Sequence, residues 1–560
     1  MLSLTALPDR PEAATLDNPL YYLENFRTVL LWVGARHADL LLECERQRLD
    51  AFWHLPEPSQ ALLVRMVMRK GERFRLGKLV YAEIGSSEAA LQALVEGDWI
   101  DPDPQLSLDE LFALLTRPEL GLALGERIAD AGLKKSLTKQ ALYEALSHDA
   151  PEPAPLSQWW PDSGDRVLAL NDMALFERLR LMFFGNLRQG WSEFVLEQLG
   201  HQRYEQVPLS SDSRAFQQRT DVDAYLHLHQ CRERLDGDEP PSAVWTDIPR
   251  EANANPWLES RRGRLLYALG RMAERAGEPL LALEAWGASC HPEARLKQLR
   301  LMERRGEDAN AWPLLQAALP EPRNAAEQQG LERLRKRLGK RLGHPVPPSP
   351  RARAIETIEI ALPQPGHGSV ELAVAEHFSD DSCELYYVEN WLFNGLLALL
   401  CWPAFYTPLP GAFFHPFQGG PADLYRGDFL ERRRALFDDS LKLLDSGEYR
   451  QQILDTWTRK AGISNPMLYW PLLPRELIER ALDCIPPHHL RAVFERMLTD
   501  LREYRSGLPD LIQLWPDERR YRLIEVKGPG DRLQDHQRRW LGFMREQQMD
   551  VAVCHVKWSD

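Results

Sequence analysis

The sequence predicts a multidomain α/β protein, with mostly helical N-terminal and middle modules ahead of a C-terminal domain built on a mixed sheet. Three observations carry this reading. The chain has 560 residues, room for several domains at roughly 150 residues each. Its composition, 44% hydrophobic and 27% charged, is that of a packed chain rather than a disordered one. Apolar residues recur at helical spacing through most of the chain, whereas the last stretch reads as strand, turn, strand, helix, strand.

Residues 1–57 pattern as an N-terminal helical segment. Asn18-Pro19 opens a helix whose apolar face is Tyr22, Phe26, Val29, Leu30 and Val33. Residues 58–103 are winged-helix-like: a helix from Ser59 to Arg69, a basic stretch from Arg69 to Lys78, and a second helix capped by Ser86-Ser87 that ends at Gly97. Such units enter DNA grooves, which makes Arg69 and Lys70 candidate contacts; a solvated basic face fits the same residues. Within 104–150, two short helices meet at Gly132-Leu133, with Lys134, Lys135 and Lys139 at the start of the second. This resembles a SAP DNA-binding motif, because free N–H groups at a helix start plus lysines make a phosphate site. Residues 150–165, rich in Pro, Ser and Asp, read as a linker. A helical middle region, 151–250, carries Arg178 and Arg180, which either touch DNA or flank a core helix. From 251 to 350 there is a weak repeat, Ala273–Glu278 returning as Met302–Glu307, 29 residues later. Tetratricopeptide-like helix pairs are expected there, and such stacks commonly hold a protein partner. The basic run Arg333–Arg341 is a solvated helix face or a DNA track, and His344–Pro350 is a linker.

The last domain, 351–560, holds the chemistry. Leu511–Trp515 is strand-like, Pro516–Arg519 is a turn, and Tyr521–Lys527 returns as a second strand. Residues two apart share a face, so Glu525 and Lys527 project together while Val526 points to the core. Gly528-Pro529-Gly530 stops the strand. Asp531 is expected to cap the next helix, with Gln534 completing a capping box. Leu533, Gln537, Trp540, Leu541 and Met544 form that helix's inner stripe, and Asp550–Val556 is a final strand. A hard divalent cation, Mg²⁺ or Mn²⁺ as one or two ions, would take oxygens from Asp510, Glu525 and the Val526 carbonyl. Bound water would then fall in pKa from about 15.7 towards about 7, and Lys527 would orient that water or the phosphate oxygens. Without such a use the cluster is costly: two carboxylates ~4 Å apart repel by about 4 kcal/mol at an effective dielectric of 20.

Pro509-Asp510 with Glu525-Val526-Lys527 on a hairpin, followed by a helix, resembles the PD-(D/E)xK nucleases. The longer wording, G-L-P-D-L-I then E-V-K-G-P-G-D-R-L-Q-D-H-Q-R-R-W-L and V-A-V-C-H-V, resembles the virus-type replication-repair nuclease (VRR-NUC) module. It is similar in particular to the Fanconi-anaemia-associated nuclease family, in its bacterial type. Tyr387–Phe393, Gly395–Trp402, Phe417-Gln418, Pro421–Tyr425 and Tyr21–Phe26 share the likeness. In that family a glutamate just before the G-L-L…C-W helix completes the metal site, and Glu389 matches it. The resemblance implies a structure-specific DNA repair nuclease that cuts near 5′ flaps and junctions, with 5′-to-3′ exonuclease activity, in interstrand crosslink repair. A restriction-like or mobile-element endonuclease, and a non-catalytic DNA-binding scaffold, remain alternatives. Arg502, Arg505, Arg532 and Gln537 flank the hairpin and join the candidate DNA contacts.

The net charge of −14 argues against a general nucleic-acid coat, which needs many released counterions, but leaves room for a local basic channel. The seven cysteines are scattered and include no C-x-x-C pair, so neither a zinc finger nor a disulfide framework is expected. Met1–Asp9 lacks the pattern of a signal peptide. The longest apolar run, Trp391–Phe405, is interrupted by Asn394 and Pro403 and reads as a buried helix rather than a membrane span. A cytoplasmic, nucleoid-associated protein follows, with no membrane partner. No G-x-x-x-x-G-K-[ST] loop occurs, and the adjacent His488-His489 do not share a helix face.

Overall fold

A computed structural model describes residues 13–134, 136–149, 151–210, 212–345, 354–364, 368–379 and 383–559. The chain divides into two compact units. The first comprises Met1–Gln202, Leu209–Val222 and Phe414–Phe417. Its helices Tyr21–Arg36, Glu43–His54, Glu57–Val67 and Met173–Phe184 bury an aromatic core. In it Phe26 meets Phe52 at 5.5 Å and Phe176 at 5.9 Å, ring centre to ring centre. All five residues of the expected first-helix face are buried. Ser86 caps the Ser87–Glu96 helix through the Ala89 N–H at 3.3 Å.

A small antiparallel sheet joins β1 (Arg73–Arg75) and β2 (Ile100–Asp101) to a central β3 (Val167–Leu170). The sequence reading places no strand at 167–170, since Val-Leu-Ala-Leu is buried throughout and shows no alternation. Of the expected linker at 150–165, the described residues 151–165 are not a linker. Leu156–Trp159 is helical and packs into the cluster of Leu106, Leu111, Leu120 and Leu142. The Trp159 indole donates to the Leu106 carbonyl at 3.1 Å. Polar composition hid the two apolar side chains that fix the segment, each stabilising by ~2 kcal/mol when buried.

The second unit comprises Arg203–Pro208, Asp223–Phe413 and Gln418–Asp560. Its repeats are helix pairs, Pro256–Arg275 with Pro279–Gly287 and Ala294–Arg304 with Asp308–Ala318, followed by Ala325–Leu342. The turn inside each pair closes with the same hydrogen bond, Glu278 N–H to Ala273 O (2.8 Å) and Glu307 N–H to Met302 O (3.0 Å). Much of the basic run lies in ion pairs rather than forming an open track: Arg333 with Asp535 at 2.6 Å, Arg337 with Glu303 at 2.7 Å, Arg341 with Asp308 at 3.3 Å. Of the following proline-rich linker, residues 346–350 lie outside the described residues.

The C-terminal sheet is mixed, in the order β4 (Glu356–Pro363), β8 (Val551–Ser559), β7 (Arg520–Lys527), β6 (Leu511–Trp515), β5 (Glu384–Tyr387). β5, β6 and β7 are antiparallel neighbours. β8 runs parallel to both β7 and β4, and the crossover from β7 to β8 is the helix Asp535–Glu546. That helix starts later than expected. Asp531 does not cap it: its carboxylate accepts the Gly528 N–H at 3.2 Å, closing the loop after β7. Gln534 takes the cap position and Leu533 precedes the helix, while Trp540, Leu541 and Met544 are buried as expected. The apolar run at 391–405 is buried as two helices, Leu392–Leu400 and Trp402–Phe405. All seven cysteines are free thiols. Among the described residues no helix is long and apolar enough to cross a membrane.

Candidate active site

Register brings the hairpin residues together. Leu511 pairs with both Tyr387 on β5 and Ile524 on β7, so Asp510, Glu525 and the chain just after β5 meet at one end of the sheet. The Asp510 carbonyl accepts the Val388 N–H at 2.8 Å, which sets Glu389 beside it. Asn390 then turns the chain in the left-handed region, φ +57°, a conformation asparagine tolerates. Its side chain accepts the Leu508 N–H at 3.2 Å and donates to Glu389 Oε1 at 3.2 Å. The Tyr387 hydroxyl donates to Glu389 Oε2. Glu389 is therefore held by its neighbours and makes no cap for the Leu392–Leu400 helix.

Gly507 explains how closely the 505–510 segment approaches the Asp535–Glu546 helix. It has φ +84°, and a Cβ there would lie 2.2 Å from His536 Cδ2 and 3.0 Å from the His536 backbone.

Asp510 Oδ2 accepts the Val526 N–H at 2.8 Å. Glu525 is fully buried. Its Oε1 accepts from Lys527 Nζ at 2.6 Å and from the Gln537 amide. Its Oε2 is buried and accepts no hydrogen bond. Burial pushes both carboxyl groups above the usual carboxylate range. The Asp510 charge adds to the rise at Glu525, and Lys527 opposes it. At Asp510 the Val526 N–H and Lys527 oppose the rise, while Glu389 and Glu371 add to it. Among the described residues no three His, Cys, Asp or Glu side chains form a closed metal cluster; the carboxylates rest on protein donors. A hard cation nevertheless suits what is present: an oxygen-only donor set, a bare buried carboxylate oxygen, and mutual repulsion that positive charge would relieve.

The candidate DNA contacts fare unequally. Arg69 and Lys70 are exposed, with Arg69 5.3 Å from the Tyr81 ring. Lys134 is exposed, Lys135 lies outside the described residues, and Lys139 already donates to the Leu115 carbonyl at 2.8 Å. Arg178 belongs to the core rather than to a DNA surface. It pairs at 2.6 Å with buried Glu45, which Arg219 also holds at 2.6 Å. Arg180 is half-buried, 4.0 Å from Glu177. Arg505 donates to the Tyr425 hydroxyl. Arg502 is exposed and lines a cavity of about 330 Å³ with Lys297, Arg300, Arg333, His536 and Arg539. Arg532 is exposed in the loop before the last helix. Gln537 reaches inward to Glu525 instead. Sequence reasoning gave no role to Tyr387, Asn390 or Glu371; the first two stand inside the family-like wording, which was the available signal.

The chain matches the VRR-NUC domain over residues 445–558, the FAN1 HTH domain over 20–101, and the Fanconi anemia-associated nuclease SAP domain over 105–159. It is 50% identical to the Fanconi-associated nuclease 1 homolog of Pseudomonas aeruginosa over 544 residues, 97% of each chain. It is 25% identical to the human Fanconi-associated nuclease 1 over 635 residues, 96% of this chain and 62% of that one. A crystal structure of paFAN1 bound to 2nt 5′ flap DNA with gap superposes with TM-score 0.94 at 50% identity, covering 98% of this chain and all of that one. The same protein bound to 1nt 5′ flap DNA with gap gives 0.92.

Proposed function

Since the chain belongs to the Fanconi-associated nuclease family, whose VRR-NUC domain makes it a metal-dependent nuclease, we propose that it hydrolyses DNA phosphodiesters beside 5′ flaps and junctions. The cation is Mg²⁺ or Mn²⁺, and Asp510, Glu525, Glu389 and the Val526 carbonyl are the residues that would hold it. The observation that carries the site is the bare, buried Oε2 of Glu525 beside Asp510, with Lys527 Nζ 2.6 Å from the other oxygen. When bound, the cation supplies an acidified water and neutralises phosphate charge. The chain's own groups do the rest. The Val526 N–H fixes the Asp510 carboxylate, Lys527 favours the ionised form of Glu525 against its burial and presents N–H groups to water or phosphate oxygens, and the buried setting strengthens both interactions.

The flap preference is supported by the 5′ flap DNA bound to the half-identical relative and by basic candidates spread from Lys70 to Arg532. Several separated patches suit a substrate with several arms. Residues 20–159 are the module that grips DNA, and the repeats of 251–350 offer a surface to a protein partner. A 5′-to-3′ exonuclease activity and a role in interstrand crosslink repair, in the cytoplasm at the nucleoid, are what we assign. The test is a competition among 5′-flap, 3′-flap, nicked and intact duplexes of equal length, at fixed salt, with Mg²⁺ or Mn²⁺. The 5′ flap should be cut first; equal cutting of all four, or a 3′-flap preference, overturns the reading.

A further inference from the structure

We propose that Gln537 is a positioning residue that aims the bare oxygen of Glu525 at the cation, an inference that rests on the metal-dependent reading above. Two donors, Lys527 Nζ and the Gln537 amide, converge on the same oxygen, Oε1. A carboxylate with one oxygen pinned twice has its other oxygen fixed in direction, and Oε2 is the one left buried without a partner. Simple satisfaction of a buried acid would place one donor on each oxygen.

The orientation of Gln537 is itself fixed. Its amide oxygen accepts the Gln534 backbone N–H at 2.8 Å, so its NH₂ must face Glu525. The reverse orientation would set oxygen against oxygen and waste the N–H. The Gln534 N–H stands at the start of the Asp535–Glu546 helix, which is anchored by buried Trp540, Leu541 and Met544. The helix start thus sets the amide, and the amide sets the carboxylate. Lys527 supplies charge; Gln537 supplies direction without altering the charge of the site. Partners of this kind are commonly worth 10- to 100-fold in metal affinity or activity.

Two variants of the full chain separate the possibilities. Gln537→Met keeps length and packing but removes the donor. Gln534→Pro removes the N–H that orients the amide, at a backbone φ of −79° that proline adopts. Each is titrated with Mn²⁺ by calorimetry without DNA, and its flap cleavage is followed against Mn²⁺ concentration. Gln537→Met should weaken Mn²⁺ binding about tenfold, with cleavage recovered at high Mn²⁺. Gln534→Pro should move in the same direction by less. Asp510→Ala is the control and should neither bind nor cut at any Mn²⁺ concentration. If Asp510→Ala is inert while Gln537→Met and Gln534→Pro both bind Mn²⁺ as the wild type does, the positioning role is wrong and the site stands. Weaker DNA affinity in Gln537→Met at unchanged Mn²⁺ affinity also overturns it, in favour of a DNA contact. A wild-type-like Asp510→Ala removes the site, and this inference with it.

Discussion

Asp510→Asn should stabilise the metal-free protein while abolishing cleavage. The substitution keeps the shape of the side chain and an oxygen for the Val526 N–H, and removes one of the two buried carboxylates of the hairpin. The folded-state pKa of Asp510, about 6, lies above its ordinary 3.8, with burial as the main cause. The stability tied to this group is therefore fully present below about pH 4 and is lost as pH rises through 6. Two pKa units correspond to ~3 kcal/mol; the Asn amide still carries a polar burial cost, which leaves ~2 kcal/mol for the variant. For a domain of about 200 residues this moves Tm by roughly 4–8 °C. The assay is calorimetric melting in chelator at pH 5 and pH 8. The variant should exceed the wild type clearly at pH 8 and by roughly half as much at pH 5, and adding Mn²⁺ should raise the wild type alone. An Asp510→Asn protein that melts below the wild type at pH 8 without metal, or gains equally at both pH values, would refute the electrostatic account.

Three further outcomes follow from named contacts. Glu389→Gln should lose cleavage by 10²-fold or more with Tm changed by only ~1 °C, because the Tyr387 and Asn390 partners can still engage an amide; normal turnover with a large melting loss would assign it a structural role instead. Arg178→Ala should destabilise by about 2 kcal/mol, as a charged buried hydrogen bond is lost, and should leave the salt dependence of DNA binding unchanged in a titration by fluorescence anisotropy. Lys134→Ala should flatten the plot of log affinity against log salt by roughly 0.9 on duplex arms; an unchanged slope would make this lysine a solvated one.

The hairpin was legible because its fold and its chemistry coincide in one short stretch: apolar strands, a Pro-Asp turn, and glycines that stop the ladder. The edge strands were not. Glu356–Pro363 alternates, yet its pairing with β8 links residues almost two hundred apart, Glu356 with Ala552, and nothing local encodes that. Glu389 lies 121 residues before Asp510, and only family-like wording connected the two. The Asp531 cap failed through competition. The nearest orphan donor, the Gly528 N–H, claimed that carboxylate first, and the helix began three residues later than expected. Gln537 was on the expected helix, but its role depends on which way an amide faces, a matter of hydrogen bonding rather than spacing.

The fate of the basic patches bears on the substrate preference proposed above. Four candidate arginines are held by carboxylates: Arg178 by Glu45, Arg333 by Asp535, Arg337 by Glu303, Arg341 by Asp308. Guanidinium forks suit such pairing, whereas Lys70 and Lys134 stay exposed. A phosphate approaching a paired arginine must share it with the resident carboxylate, so little counterion is released and little affinity is gained. On a chain of net charge −14, one patch would then hold a plain duplex only weakly. On the function proposed above, binding would become appreciable only where several patches are filled at once. Charge pairing inside the protein would thereby shift discrimination from the amount of phosphate to its arrangement, the property in which a branched substrate differs from a linear one.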